Sequence, residues 1–451
     1  MGRLLGTCVL AAALLAASAG ASSGAQAAGG PGSNPHSLVR VGDTVFFRAD
    51  DGVHGAELWK SDGTDAGTVL VKDIFPGSED GFPAGLVRVG SELYFSADDG
   101  VHGHELWKSD GTEAGTVMVK DITPGPALTG ISSLRAAVGS ELFFVAETGV
   151  GFWKDSLWKT DGTEAGTVEV KSIGLALDDP NDPVVVGSTL FFFSLDDAHG
   201  LELWKSDGTP GGTSIVENLN PGSGDGVNPF NLELWRGDVY FGGDDGVHGV
   251  ELWRSDGTAA GTRMVRDVNP GGASSNSSPT WLEAFGGRLL FAANDGERGG
   301  ELWKSGTRAG TVMVKDLTPA GRRRSRIGPI VRLEKGLALF SAFGEGSLHR
   351  TDGSAKGTKI VRRPRDGGPG SVVGITRVQG IGALLRGYNA LWKSDGTRAG
   401  TVQTLGFAPA QITALGAQRA LFVADDGVHG SELWFTDGTT GGTHLVADIN
   451  P

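Results

Sequence analysis

One signature, Leu-Trp-Lys/Arg-Ser/Thr-Asp-Gly-Thr, recurs along the chain around Trp59, Trp107, Trp158, Trp204, Trp253, Trp303, Trp392 and Trp434, and once more with His349 in place of the tryptophan. Self-similarity of this kind constrains a fold more tightly than composition does, because each unit must bury its apolar surface against the next. Successive anchors stand 42 to 51 residues apart. That is the span of one four-stranded propeller blade, and it is far longer than a leucine-rich or hexapeptide coil.

Within the second unit four short runs rich in branched and aromatic residues are evident: Gly85 to Gly90, Glu92 to Ala97, His104 to Lys108 and Gly115 to Asp121. Between them lie Gly-Ser, Asp-Asp-Gly-Val-His-Gly and Ser-Asp-Gly-Thr-Glu-Ala-Gly, which supply the glycine and Asx positions of tight hairpins. In Glu57-Leu58-Trp59-Lys60 the Leu and Trp point to opposite faces of a strand. A sheet clamped between two neighbours suits that pattern, so the repeated Trp reads as inter-blade packing and the preceding Glu as a hydrogen-bond partner for a neighbouring turn. The expected fold is all-β: a single closed propeller of nine four-stranded antiparallel blades, or eight if the degenerate seventh and eighth units do not each form a full sheet. Both end units are complete, so the ring is expected to close by contact between its ends or by a modest strand shift. Alternating strand direction puts the Asp-Asp-Gly-Val-His-Gly turns and the unit-to-unit connections on one face of the disc, and the Gly-Ser and Ser-Asp-Gly-Thr turns on the other.

At Glu57 to Thr64 and Glu105 to Thr112 the sequence resembles the bacterial ELWxxDGT repeat proteins, and the likeness runs through essentially all of the chain after its leader. The resemblance implies an exported repeat protein of the cell surface or medium, with no established reaction. Several units depart from the pattern. Ser156 replaces the Glu in the third, the sixth lacks the Asp in Lys304-Ser-Gly-Thr307, the seventh reads Ser347-Leu-His-Arg-Thr-Asp-Gly353, and the eighth has Ala390-Leu-Trp392 without an acidic loop.

Ahead of the repeats, Arg3 and the apolar run Leu4 to Ala17 read as a secretory signal peptide over 1–27, followed by a short linker over 28–36 and the propeller over 37–451. A secreted or cell-surface protein is expected, with the periplasm as the alternative location. Cys8, the only cysteine, lies within the leader, which leaves the mature chain without disulfides or thiolate chemistry. No later segment is apolar for long enough to form a transmembrane helix. The 39 Lys and Arg against 53 Asp and Glu argue against general nucleic-acid affinity, which needs clustered positive charge.

Two features suggest binding. The loops containing Asp50, Asp51, Asp98, Asp99, Asp196, Asp197, Asp244, Asp245, Asp425 and Asp426 are read first as Asx turns whose carboxylates cap backbone N–H groups. The alternative is calcium, a hard cation that prefers such oxygens, with the loop histidines as packing or hydrogen-bonding residues. The second feature is a basic sector between Arg322 and Arg386, where fourteen basic residues stand against four acidic ones. Its runs Arg322, Arg323, Arg324, Arg326 and Arg362, Arg363, Arg365 both extend from unit-to-unit connections and should share one face, where they could hold a polyanion or seat the acidic side of another copy. No non-repeated constellation suited to catalysis is evident. The expectation is therefore a non-enzymatic extracellular protein that recognises an anionic surface polysaccharide or a protein partner. A calcium-stabilised adhesion or matrix component comes second, and a polysaccharide-acting hydrolase or lyase third.

Overall fold

Short runs of branched and aromatic residues, each closed by a glycine or Asx turn, build the same antiparallel sheet along the whole chain. The computed structural model describes residues 30–125, 131–147, 155–176, 183–308, 310–317, 326–343 and 346–451. In the first blade β1 (His36–Val41), β2 (Thr44–Asp50), β3 (Ala56–Ser61) and β4 (Val69–Lys72) pair in sequence order. Nine such blades follow one another. The seventh and eighth units, despite their degenerate motifs, each contribute a full four-stranded sheet, so the count is nine and not eight. Blades 3 and 4 are additionally joined where Leu175 and Ala176 pair with Leu195 and Ser194. Among the described residues there is no α-helix, only a single 3-10 turn, Pro364–Asp366, and no helix long and apolar enough to cross a membrane.

First strands of successive blades contact one another, and that of the ninth, Pro409–Gly416, meets β1. The first strand of each blade therefore lines a central channel and the ring is closed. Among the described residues no strand is shared across the seam. Residues 30–34 run beside the ninth blade, with Gly30 N donating to Val428 O at 2.9 Å and Asn34 N to Ser431 O at 3.0 Å. The expected leader lies outside the described residues.

The motif tryptophan faces a fully buried phenylalanine across the strand pair: Phe47 opposite Trp59, Phe95 opposite Trp107, Phe291 opposite Trp303 and Phe422 opposite Trp434. Burying each such ring contributes about 1.5–3 kcal/mol, and packing on both faces of every sheet explains why the repeats are apolar on both sides. In blade 7 His349 takes the tryptophan's place, stacked 5.2 Å from Phe340.

Two kinds of latch tie blade to blade. The motif Glu reaches into the connection that leads to the next blade. Glu57 accepts from Ile74 N at 3.0 Å, Phe75 N at 3.1 Å and Gly81 N at 2.9 Å; Glu105, Glu251 and Glu301 accept likewise from Ile122, Val268 and Leu317. A Cβ on Gly81 would lie 2.5 Å from the Glu57 carboxylate, which is why a glycine stands there. The second latch is cationic. Lys60 donates to Gly111 O, Lys205 to Gly257 O and Lys304 to Gly353 O, while Lys72, Lys120, Lys171 and Lys315 on the outer strands donate to Thr116 O, Thr167 O, Thr213 O and Thr358 O. The motif's charged residues thus hold the ring together.

Candidate functional site

The acidic loops fold back on themselves. Asp50 accepts from Gly52 N at 2.7 Å, and Asp51 Oδ1 accepts from both Val53 N and His54 N at 2.9 Å while its Oδ2 pairs with His54 Nδ1 at 2.8 Å. The pattern repeats at Asp98, Asp99 and His102, at Asp244, Asp245 and His248, and at Asp425, Asp426 and His429. In blade 4 Asp196 takes the second role, accepting from Ala198 N and His199 N, and Asp197 is exposed. Burial alone would raise Asp51, but the His54 and Val53 donors outweigh it and hold it below the ordinary carboxylate range. Its hydrogen bond to Asp51 raises His54. Blade 6 carries a version that the sequence reading passed over: Asn294 and Asp295 cap the loop, and Arg298 replaces the histidine on Asp295. Among the described residues no group of three or more His, Cys, Asp or Glu is placed to hold a metal ion.

The basic sector is divided. Arg322, Arg323 and Arg324 lie outside the described residues. Arg326 opens the first strand of blade 7 and is exposed. Arg362 ends the outer strand of that blade and donates to Arg398 O at 3.2 Å and Gly367 O at 3.0 Å, the place and role of Lys72 in blade 1. Arg363 lines a cavity of about 350 Å³ with Arg350, Lys359, Arg398 and Asp366, and Arg365 is exposed outside it. One of the two arginine runs is thus partly committed to holding blades 7 and 8 together.

One described opening is the channel itself. A cavity of about 640 Å³ takes lining from the first strands of blades 1, 2, 6, 7, 8 and 9, among them Ser37, Trp281, Thr376, Gln411 and Thr413, with Arg386 beside them. Trp281 stands at a bulge between Thr280 and Glu283, in the left-handed backbone region (φ 55°), and is 39% exposed. A non-glycine residue there carries strain that the surrounding sheet must hold in place. Ser37 and Gly85 occupy the same bulge in blades 1 and 2 with φ of 60° and 54°.

Further along the channel one register position recurs in every blade, occupied by Val39, Val87, Ala136, Val184, Glu233, Glu283, Val331, Thr376 and Thr413. Two carboxylates therefore stand side by side in blades 5 and 6 where the ring is otherwise apolar or carries a hydroxyl. Glu233 accepts from Ala284 N of the next blade at 3.1 Å, and burial raises its pKa. Glu283 is pushed up to about 7, by burial first and then by the charge of Glu233, against the pull of Arg332 and Arg377. A carboxyl so placed exchanges a proton near neutrality, as general acid or base chemistry requires. The sequence reading missed both: Glu233 sits in Glu233-Leu-Trp235, a mimic of the motif on a first strand, and Glu283 shows only as a polar residue where other units have Val or Ala.

No family model matches the sequence, and no curated relative is found. Solved structures similar in fold include puromycin hydrolase (20% identity over 70% of this chain and 54% of that one, TM-score 0.36). A prolyl endopeptidase (14%, 73% and 49%, TM-score 0.42) and prolyl oligopeptidase B from Galerina marginata (11%, 75% and 52%, TM-score 0.43) are also similar. The chain spans about half the length of these solved chains, and at such identities the likeness is one of fold. It nonetheless corrects the expectation of a non-enzymatic protein that binds an anionic polymer or a partner, together with the adhesion and polysaccharide-directed alternatives. The solved chains beside it are peptidases and a hydrolase. The ground for that expectation, the lack of any departure from the repeat suited to catalysis, is also removed by Glu233 and Glu283.

Proposed function

We propose that the protein takes an extended peptide into its central channel, and that Glu283, beside Glu233, exchanges a proton with it in peptide hydrolysis. The observation that carries this reading is the channel mouth. There Trp281 is held toward the opening by a strained bulge, and the first strands pair on one side only. Strand edges recognise an extended chain through its main-chain groups, and an aromatic face adds sequence-tolerant contact. Peptide is also what the prolyl endopeptidases are named for cleaving; the reading rests on the channel itself. The apolar leader Leu4 to Ala17 supports an exported protein.

Anisotropy of fluorescein-labelled Gly/Pro/Ser-rich decapeptides tests the first half. Saturable binding that weakens about tenfold in Trp281→Ala is expected, as for an aromatic anchor; no binding, or equal binding by the variant, overturns it. Mass spectrometry of the same peptides after incubation tests the second half. Cleavage by the parent protein that is lost in Glu283→Gln is expected, and intact peptide with both proteins removes the hydrolytic step.

A further inference from the structure

In eight of the nine blades the third turn is capped by its motif Asp. Asp62 Oδ1 accepts from Thr64 N at 2.9 Å and Thr64 Oγ1 at 2.6 Å, and Asp110, Asp161, Asp207, Asp256, Asp352, Asp395 and Asp437 do the same in their own turns. Blade 6 alone lacks this residue, passing from Ser305 directly to Gly306. Its hairpin closes more tightly, with Thr307 pairing Gly310 and Thr307 Oγ1 donating to Gly310 O at 2.7 Å. Trp235 of blade 5 fills the gap. A Cβ on Gly306 would stand 2.0 Å from the Trp235 ring, so the position admits only glycine.

Around this shortened turn lies a cavity of about 560 Å³ lined by Arg236, Arg288, Lys304 and Arg308 and by no carboxylate. Arg308 stands where blades 1, 2 and 3 carry Asp65, Glu113 and Glu164, so the charge is reversed as well as the cap removed. Arg236 is fixed from two sides, its guanidinium 4.8 Å over the Trp235 ring and donating to Gly287 O at 3.1 Å. Lys304 donates to Gly353 O at 2.8 Å. Asp352 of blade 7 feels the charge of Arg288, but its Oδ1 already accepts from Ser354 N and Ser354 Oγ. Four cations thus converge where eight other blades keep a carboxylate of their own.

We propose that this pocket binds a multiply charged oxyanion, a phosphate or sulfate group, free or as a monoester. Planar guanidinium groups match such oxygens in pairs, and a ligand oxyanion would supply the negative charge that the missing Asp supplies elsewhere. The pocket opens on the face of the first and third turns, opposite the channel mouth, so it stands or falls independently of peptide binding.

Calorimetry at low salt with inorganic phosphate and with glucose 6-phosphate, using glucose as the control, tests the assignment. One saturable site is expected in the parent protein, weakened at least tenfold in Arg308→Ala, whose exposed side chain is not needed for folding. Binding is expected to vanish when an aspartate is inserted between Ser305 and Gly306. Tighter binding of the ester than of phosphate assigns the site to a phosphomonoester, and equal binding assigns it to the free ion. No heat with either anion, or unchanged affinity in Arg308→Ala, overturns the proposal even if the insertion variant fails to fold.

Discussion

Ser33 and Glu432 stand 399 positions apart and are joined twice, from Ser33 N to Glu432 Oε1 at 2.6 Å and from Ser33 Oγ to Glu432 Oε2 at 2.5 Å. Ile449 N completes the set at 3.3 Å. The arrangement is that of Glu57 with Gly81 and Ile74, with the connection cut in two. At the seam the N-terminal residues supply one half of a blade connection and the C-terminal residues the other, and a motif carboxylate that elsewhere holds a continuous loop here closes the ring.

Glu432→Gln should therefore loosen the seam in particular. An amide offers one acceptor oxygen where the carboxylate offers two, so Ser33 Oγ or Ser33 N loses its partner inside a buried site, at a cost of roughly 2 kcal/mol. Chemical denaturation should read that loss, and hydrogen exchange should show Gly30 to Asn34 unprotected. The matched variant Glu57→Gln should show a similar loss, with exchange confined to Ile74 to Gly81. Unchanged protection of Gly30 to Asn34 in Glu432→Gln would remove the seam's dependence on this contact.

Stability should peak on the acid side of neutrality. His54, His102, His248 and His429 are raised above 6.5 by their aspartate partners. Their contribution is complete below the ordinary histidine value and is lost as pH rises through the raised one. Burial raises Glu57 to about 7 and Glu202 to about 8, which has the same sign: stability present below about 4.5 is lost as pH climbs through 7 to 8. Asp51, Asp99, Asp245 and Asp426 are depressed below 3.8, so their contribution is lost as pH falls below that value. Thermal melts at constant ionic strength should give the highest Tm between about pH 4 and 6.5, falling toward pH 8.5. A flat or rising profile over that upper range would contradict the roles given to the His–Asp pairs and the buried glutamates.

The fold was legible in the sequence because blade spacing, turn chemistry and two-sided apolar strands all agree; the motif Glu was read as a hydrogen-bond partner for a neighbouring turn, and its partners lie in the connection to the next blade. The cations were harder to read. Lys72, Lys120 and Arg362 reach main-chain carbonyls on the next blade, a contact between residues some 40 positions apart that no local pattern displays, so Arg362 resembled a surface charge waiting for a ligand. The candidate site was hidden for a related reason. Glu233 and Glu283 become neighbours only when two first strands are set side by side in the ring, and Trp281 faces the channel only because a bulge turns it.

Calcium and chelator are expected to leave the melting temperature unchanged. In the loops at Asp50 and Asp51 the carboxylate oxygens are occupied by Gly52 N, Val53 N, His54 N and His54 Nδ1, and a cation would have to displace donors already in place before it gained ligands. Melts of the protein in millimolar calcium and in EDTA decide this. A rise with calcium would show that the loops rearrange to bind it, whereas Asp51→Ala should lower Tm equally in both buffers, because it removes a turn cap that contributes about 1 kcal/mol.

Blade 7 should be improvable by restoring its missing ring. Lys72 lies 6.0 Å over Trp107 and Lys120 5.9 Å over Trp158, so an outer-strand cation of one blade covers the tryptophan of the next. In blade 7 the covered residue is His349, pushed down to about 4 by burial first and then by Lys315 and Arg363. An imidazole kept neutral chiefly by burial gains nothing from the two cations, whereas an indole presents them with the negative face of its ring. His349 already stacks on Phe340 with rings 25° apart, close to the 28° of Trp434 on Phe422, so the strand pair presents the same platform. His349→Trp, paired with Ser347→Glu because Ser347 Oγ is the histidine's present partner at 2.9 Å, should stabilise the protein by about 1–2 kcal/mol in urea denaturation. A destabilised double variant would mean that blade 7 has closed around the smaller ring, which the crystal structure of that variant would show as displaced neighbours of Phe340.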